Sequence, residues 1–453
     1  MASAAEQMAA NLSWGSFGKA KELQQRILFA LGLLVVYRVG TYIPVPGIDA
    51  VQLKAFFEQT AGGIGGMLNM FTGGAVSRMA IFSLGIMPYI SASIIVQLLT
   101  SLIPQLESLK KEGEQGRKKI NQYTRYGTVF LALFQSYAIA VGLESQGLAS
   151  DPGMFFRASV MITLVGGTMF LMWLGEQITA RGIGNGISLI IYTGIVAGLP
   201  QALAQFFASG RSGALSPFMI IVVMVMVVVV VMFVVWVERA LRKIHIQYPK
   251  RQVGMKVYGG ESSHLPVKLN PAGVIPAIFA SSLLLMPTTI ATFSGGEGTG
   301  IIGTIAAYMG RGQPLFMIFT AALVIFFAYF YTHNVAFKSE DVADNLKKQG
   351  GFVPGIRPGK KTAEYLEYVM NRLLVVGSAY LAAVVLLPEF LIAKTAIPFY
   401  FGGTSLLIIV SVTMDTITQV QSHMLAHQYE SLIERSKLRG KSRKTKPKGR
   451  GRR

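Results

Sequence analysis

Nine stretches of 16 to 29 residues without Asp, Glu, Lys or Arg stand out in this chain as candidate membrane spans. They lie between Arg78 and Glu107, Arg125 and Glu144, Arg157 and Glu176, Arg181 and Arg211, Arg211 and Glu238, Lys268 and Glu297, Arg311 and Lys338, Arg372 and Glu389, and Lys394 and Asp415. A tenth apolar run, Ile27 to Ile43, follows Lys19, Lys21 and Arg26 and ends at Pro44 and Pro46. The hydrocarbon core of a bilayer takes about 20 residues of helix. The spacing therefore predicts an all-α integral membrane protein with ten transmembrane helices. Val222 to Val237 is apolar on every face, as a lipid-exposed helix should be. The first run has no small-residue cleavage site and reads as a retained span, with Arg38 snorkelling or paired near one end.

One stretch, Gly62 to Gln97, breaks the pattern. Its apolar piece Ile64 to Phe71, which includes Met67, Leu68, Asn69 and Met70, is too short to cross a bilayer. Glycines flank it at Gly62, Gly63, Gly65 and Gly66 and again at Gly73 and Gly74. Arg78 interrupts before an apolar piece long enough to span. A stub hinged to a full span is a broken helix, tolerated at membrane depth only where it lines a cavity or is buried in protein. A short amphipathic segment resting on the membrane surface is the alternative.

Charge fixes the expected orientation. The net charge of +20 resembles that of a nucleic-acid binder, but residues 435–453 hold 11 Lys or Arg and no acid. Without them 31 basic residues face 22 acidic ones, so the excess is largely a tail. The N-terminus, segments 104–122, 178–184, 238–271 and 337–370, and the C-terminus together carry 33 of the 42 basic residues. Basic loops stay on the cytoplasmic side, which predicts that both termini are cytoplasmic.

Catalysis is not in view. The chain has no cysteine, and its five histidines are scattered apart from His423 and His427, which share a helical face with Glu430 and read as an interfacial polar face. No HExxH, phosphate loop, GxSxG or carboxylate pair within an apolar span is present, so neither metal nor cofactor is expected.

An internal repeat organises the spans. Gly85-Ile-Met-Pro88-Tyr-Ile90-Ser-Ala92-Ser93 in the second matches Gly273-Val-Ile-Pro276-Ala-Ile278-Phe-Ala280-Ser281 in the seventh. Gly186-Ile-Ser188-Leu189-Ile-Ile191 in the fifth matches Gly403-Thr-Ser405-Leu406-Leu-Ile408 in the tenth. Matched spans run in opposite senses, so two five-helix halves of inverted topology, 23–207 and 208–432, would meet at a functional site. Residues 1–22 would form a cytoplasmic segment and 433–453 a basic tail. The repeat places Ile90, Ile278, Ile191 and Ile408 at equivalent positions, with Ile86 and Ile187 a turn away. Stiff β-branched side chains there could form an apolar constriction. Segments 238–271, with Lys250 and Arg251, and 337–370, with GFVPGIRPGKK and Arg357, read as docking surfaces for a large polyanionic partner.

The runs MFTGGAVSRMAIFSLGIMPYISASIIVQLL, YTRYGT, GTMFLMWLGEQITARGIGNGIS, NPAGVIPAIFASS, DNLKKQGGFVPGIRPG and PFYFGGTSLL resemble the SecY family of bacterial protein-translocation channels over nearly all of residues 20–432. The resemblance implies a protein-conducting channel in the bacterial inner membrane. It implies an hourglass pore between the two halves, the stub Ile64–Gly74 as its plug, and Ile86, Ile90, Ile187, Ile191, Ile278 and Ile408 as its ring. A lateral gate between spans two and three and spans seven and eight would release signal sequences and membrane helices into lipid. The implied partners are SecE and SecG subunits, nascent chains, and the SecA motor ATPase or the ribosome engaging Arg357. Two departures stand out: Met255-Lys256 replaces a denser basic cluster, and the tail from Lys437 is long enough to suggest binding to anionic lipid or ribosomal RNA. A secondary transporter shares broken helices and inverted repeats, but its ion-coupling residues are missing here.

Overall fold

The structure is a computed structural model that describes residues 21–49, 51–53, 55–56, 69–213, 216–249, 251–253, 256–258, 262–293, 313–395 and 403–442. Every apolar stretch contains helix. In order these are α1 (Lys21–Gly40), α2 (Met87–Leu102) with α3 (Pro104–Lys111), α4 (Glu114–Ser145), α5 (Met154–Arg181), α6 (Gly186–Arg211) and α7 (Pro217–Arg239). After α7 come four strands, β1 (Leu241–Gln247), β2 (Arg251–Val253), β3 (Lys256–Tyr258) and β4 (Ser262–Lys268). The remaining helices are α8 (Ile275–Phe293), α9 (Pro314–Tyr331), α10 (Ser339–Lys348), α11 (Lys360–Thr395) and α12 (Gly403–Ser442).

Among the described residues eight helices are long and apolar enough to cross a membrane, nine if α2 and α3 form one span bent by 99°. The seventh span supplies α8, of which the apolar part Ile275–Leu284 is shorter. Helix α7 shows how composition sets exposure. Ser216 caps it by accepting from Met219 N at 3.2 Å, Pro217 opens it, and only 11% of its apolar window is buried, as its uniform valine surface requires.

The chain divides into two compact units, one of Met1–Tyr37, Trp173–Ile190 and Val412–Arg453, the other of Arg38–Met172 and Ile191–Ser411. In the first, Leu23 and Ile183 are buried against Ile27, Val420 and Met424, and Gln419 Oε1 accepts from Gly184 N at 2.9 Å. In the second, α2 packs on α4, α8 packs on α2, α4 and α9, and α11 packs on α9 and α10. Small residues permit close approach: a Cβ on Gly167 would lie 2.0 Å from the Ile81 carbonyl oxygen. The turn joining α4 to α5 is fixed by Glu144, which takes Arg157 Nε at 2.7 Å and Nη2 at 2.6 Å and caps Gly153 N at 2.9 Å.

The two long basic segments are not open loops. Strand β1 pairs antiparallel with β4 from Leu241 opposite Lys268 to Gln247 opposite Ser262. Ile244, Ile246 and Val267 turn inward, the period-2 pattern of a half-buried sheet. The β2–β3 pair extends the excursion.

Candidate functional site

Of the stub, Ile64, Met67 and Leu68 lie outside the described residues. Asn69, Met70 and Phe71 are helical, and Phe71 is buried. The sequence suggests a flexible glycine hinge running straight into a long span. The structure differs: residues 72–86 are a succession of turns, largely buried, and the helix of span two begins only at Met87. Side chains replace the missing helical bonds. Asn69 accepts from Gly74 N at 2.7 Å through its carbonyl and from Ser77 N at 2.9 Å through Oδ1. Ser83 Oγ reaches the carbonyls of Ala75 and Ala80 at 3.0 and 2.6 Å. Val45 N donates to Met79 O at 2.8 Å and Ile81 N to Ile43 O at 2.9 Å, tying the turns to the chain that follows α1. Gly73 and Gly74 take left-handed φ of +66° and +86°. Met79 does so at +41° despite its side chain, a cost of about 1–2 kcal/mol that its burial to 1% exposure over-determines.

Local reading of the sequence missed where the two arginines beside this segment go. Arg38 Nη1 and Arg78 Nη2 both donate to the Gly73 carbonyl, at 2.5 and 3.2 Å. Both guanidiniums also lie over the Tyr42 ring, 5.1 and 4.0 Å from its centroid. A lone arginine inside an apolar run is the only local signal of such a site.

The isoleucines sit at helix beginnings. Ile86 precedes the first residue of α2, and Ile90 N bonds back to its carbonyl at 3.1 Å. Ile278 lies in the first turn of α8, where its carbonyl accepts from Ser281 and Ser282 Oγ at 3.0 and 2.8 Å. Ser282 Oγ also approaches Met87 Sδ at 3.5 Å, so the beginning of α2 meets α8 about two turns into that helix. Ile191 and Ile408 are buried on α6 and α12, at 4% and 0% exposure. Ile187 belongs to the other unit, half-buried in the first turn of α6 beside Gly175.

Of the docking candidates, Lys250 lies outside the described residues and Arg251 is placed by its backbone, opposite Tyr258. Arg357 is exposed on the loop before α11, and its carbonyl accepts from Thr362 Oγ1 at 3.0 Å. The structure joins the two basic segments into one body. Gln247 and Phe352 exchange backbone bonds of 2.9 and 3.0 Å, over a core of Ile244, Val267, Ala343, Val353, Leu366 and Met370. Among the described residues no group of three or more His, Asp or Glu is arranged to hold a metal ion.

A family model described as SecY matches residues 80–417. The chain belongs to the SecY family. It is 55% identical over 431 residues to the protein translocase subunit SecY of Escherichia coli (strain K12), covering 94% of this chain and 97% of that one. Two solved structures share the fold at lower identity. One, from a study of the SecY plug domain stabilising the closed state of the translocation channel, is 20% identical with a TM-score of 0.65, covering 88% of this chain and 92% of that chain. The other, Sec61 in the canine ribosome-channel complex, is 19% identical with a TM-score of 0.59 and the same coverage.

Proposed function

We propose that this chain is the channel subunit of a protein translocase, passing unfolded secretory polypeptides across the bacterial inner membrane and releasing transmembrane segments laterally into it. Membership of the SecY family across the spans is the observation that carries the reading. The chain acts as a conduit rather than an enzyme, with both termini cytoplasmic and two inverted halves, 23–207 and 208–432, around the pore. Ile86, Ile90, Ile187, Ile191, Ile278 and Ile408 form the constriction, and the stub 64–74 is the plug. The lateral exit lies where α8 meets α2 and α4. The contact there suits a seam that parts: a serine–sulfur approach at 3.5 Å between Ser282 and Met87. SecE- and SecG-like subunits complete the channel. SecA or a ribosome drives it from the body that carries Arg357 and the Lys250–Arg251 segment, and the basic tail meets anionic lipid or ribosomal RNA.

The chain has no cysteine, so single cysteines placed at the six isoleucines are unique crosslinking sites. A secretory chain arrested in transit is expected to crosslink at all six and not at Val229, which is 57% exposed on α7. Equal crosslinking at Val229 would contradict the pore assignment. Deleting residues 64–71 removes no spanning helix. It is expected to raise the resting ion conductance of reconstituted channels about tenfold or more while the chain still accumulates, because the isoleucine constriction is then left to close the neck alone. An unchanged conductance would leave the stub as a surface segment.

A further inference from the structure

We propose that Arg38 and Arg78 form a breakable clamp on the carbonyl of Gly73 that keeps the stub seated at rest. The inference deepens the plug reading above and rests on it. Arg38 ends the apolar run of α1, 35 residues before Gly73, while Arg78 lies five residues beyond it. Two separate parts of the chain therefore converge on one oxygen, and that oxygen belongs to the last residues of the stub. The approach has been made possible by backbone. Gly73 and Gly74 are left-handed, and a Cβ on Gly74 would stand 2.5 Å from Arg78 Nη2. Tyr42 completes the arrangement, its hydroxyl accepting from Arg38 Nη2 at 3.1 Å while its ring lies against both guanidiniums.

Packing alone does not explain this cluster. Arginine in an apolar span is costly and is ordinarily paired, yet among the described residues neither guanidinium meets a carboxylate. Arg78 Nε is buried and meets no acceptor among the described residues, so the hold on Gly73 uses Nη2 alone. Two like charges on one acceptor repel each other, so each bond to Gly73 O is formed against the other. Such a hold is specific in geometry and modest in strength, which suits an element that an entering polypeptide must dislodge and that must reseat behind it.

The shared acceptor gives the test its signature. Losing one arginine relieves the repulsion and lets the other bond tighten, whereas losing both frees the carbonyl. In channels reconstituted with their partner subunits, Arg38→Gln and Arg78→Gln should each raise resting ion conductance by only about two- to threefold, and the double variant by about tenfold or more, above the product of the singles. The double variant should also pass chains with defective signal sequences, a gain that general loss of structure cannot produce. Lysine retains a charged donor, so Arg38→Lys with Arg78→Lys should stay close to the unaltered channel and covers the case in which the glutamine pair fails to accumulate. A double glutamine variant that is as tight as the unaltered channel, beside a leaking 64–71 deletion, overturns the clamp alone. A double lysine variant as leaky as the 64–71 deletion also overturns it. A tight 64–71 deletion overturns the plug reading and the clamp with it.

Discussion

Ile408→Asn and Ile278→Asn are expected to let polypeptides with weak or defective signal sequences through, while Val229→Asn is not. Ile408 is fully buried and Ile278 is 7% exposed, each in the first turns of a helix that the internal repeat singles out. An amide placed in a dry neck without a partner costs about 1–3 kcal/mol. Once the neck opens and fills with water the same amide is satisfied, so the penalty falls on the closed state alone. That displaces the closed–open equilibrium roughly ten- to a hundredfold toward open, which substitutes for the push a functional signal sequence supplies. Val229 also receives an amide within the membrane, but it faces outward from α7 at 57% exposure, where closed and open states feel the change alike. The measurement is export of a signal-defective reporter. Equal behaviour of all three variants would reduce the isoleucines to packing residues.

How far the sequence alone leads depends on whether the constraint is local. Lipid imposes about 20 apolar residues on every helix, so the stretches around α4, α5, α6 and α7 are visible as gaps between charges. Where local geometry departs from a straight helix, the gap misleads. The stretch from Arg78 to Glu107 is free of charge throughout, yet its first residues are turns held by Ser83 and by bonds to Ile43 and Val45, and Pro104 follows a 99° bend. Composition cannot express either feature, because both are made by hydrogen bonds to particular carbonyls. The basic segments show the same limit at longer range. Ile244 and Ile246 alternate with polar neighbours, a strand signal only a few residues long. The bond pair between Gln247 and Phe352 joins residues more than a hundred positions apart, with no periodic trace in either. Arg38 was legible as an anomaly, while its convergence with Arg78 on Gly73 required coordinates.

Arg357→Glu is expected to cut motor- or ribosome-driven translocation about tenfold or more while leaving the folded channel in the membrane. The loop that carries it is fixed without using its charge. Phe352 is bonded in both directions to Gln247, Val353 is buried in the core beneath, and Thr362 Oγ1 holds the Arg357 carbonyl. The guanidinium itself is exposed, so its loss removes no packing and leaves no buried group unpaired. What changes is the field presented by a basic body to an incoming partner. Steering by complementary charge raises association rates by 10–1,000-fold, and rim charges act mainly on that rate and on its salt dependence. Reversal therefore should slow engagement most at low ionic strength, with the gap between variant and unaltered channel narrowing as salt screens the interaction. Arg357→Lys keeps the sign of the charge and loses the planar fork, so it should fall between the two if the partner contact is bidentate. Three measurements decide it: accumulation in membranes, rate of driven translocation, and the dependence of that rate on salt. Normal accumulation with an unaltered rate at every salt concentration would remove Arg357 from the docking surface; loss of accumulation would make it a residue of the fold.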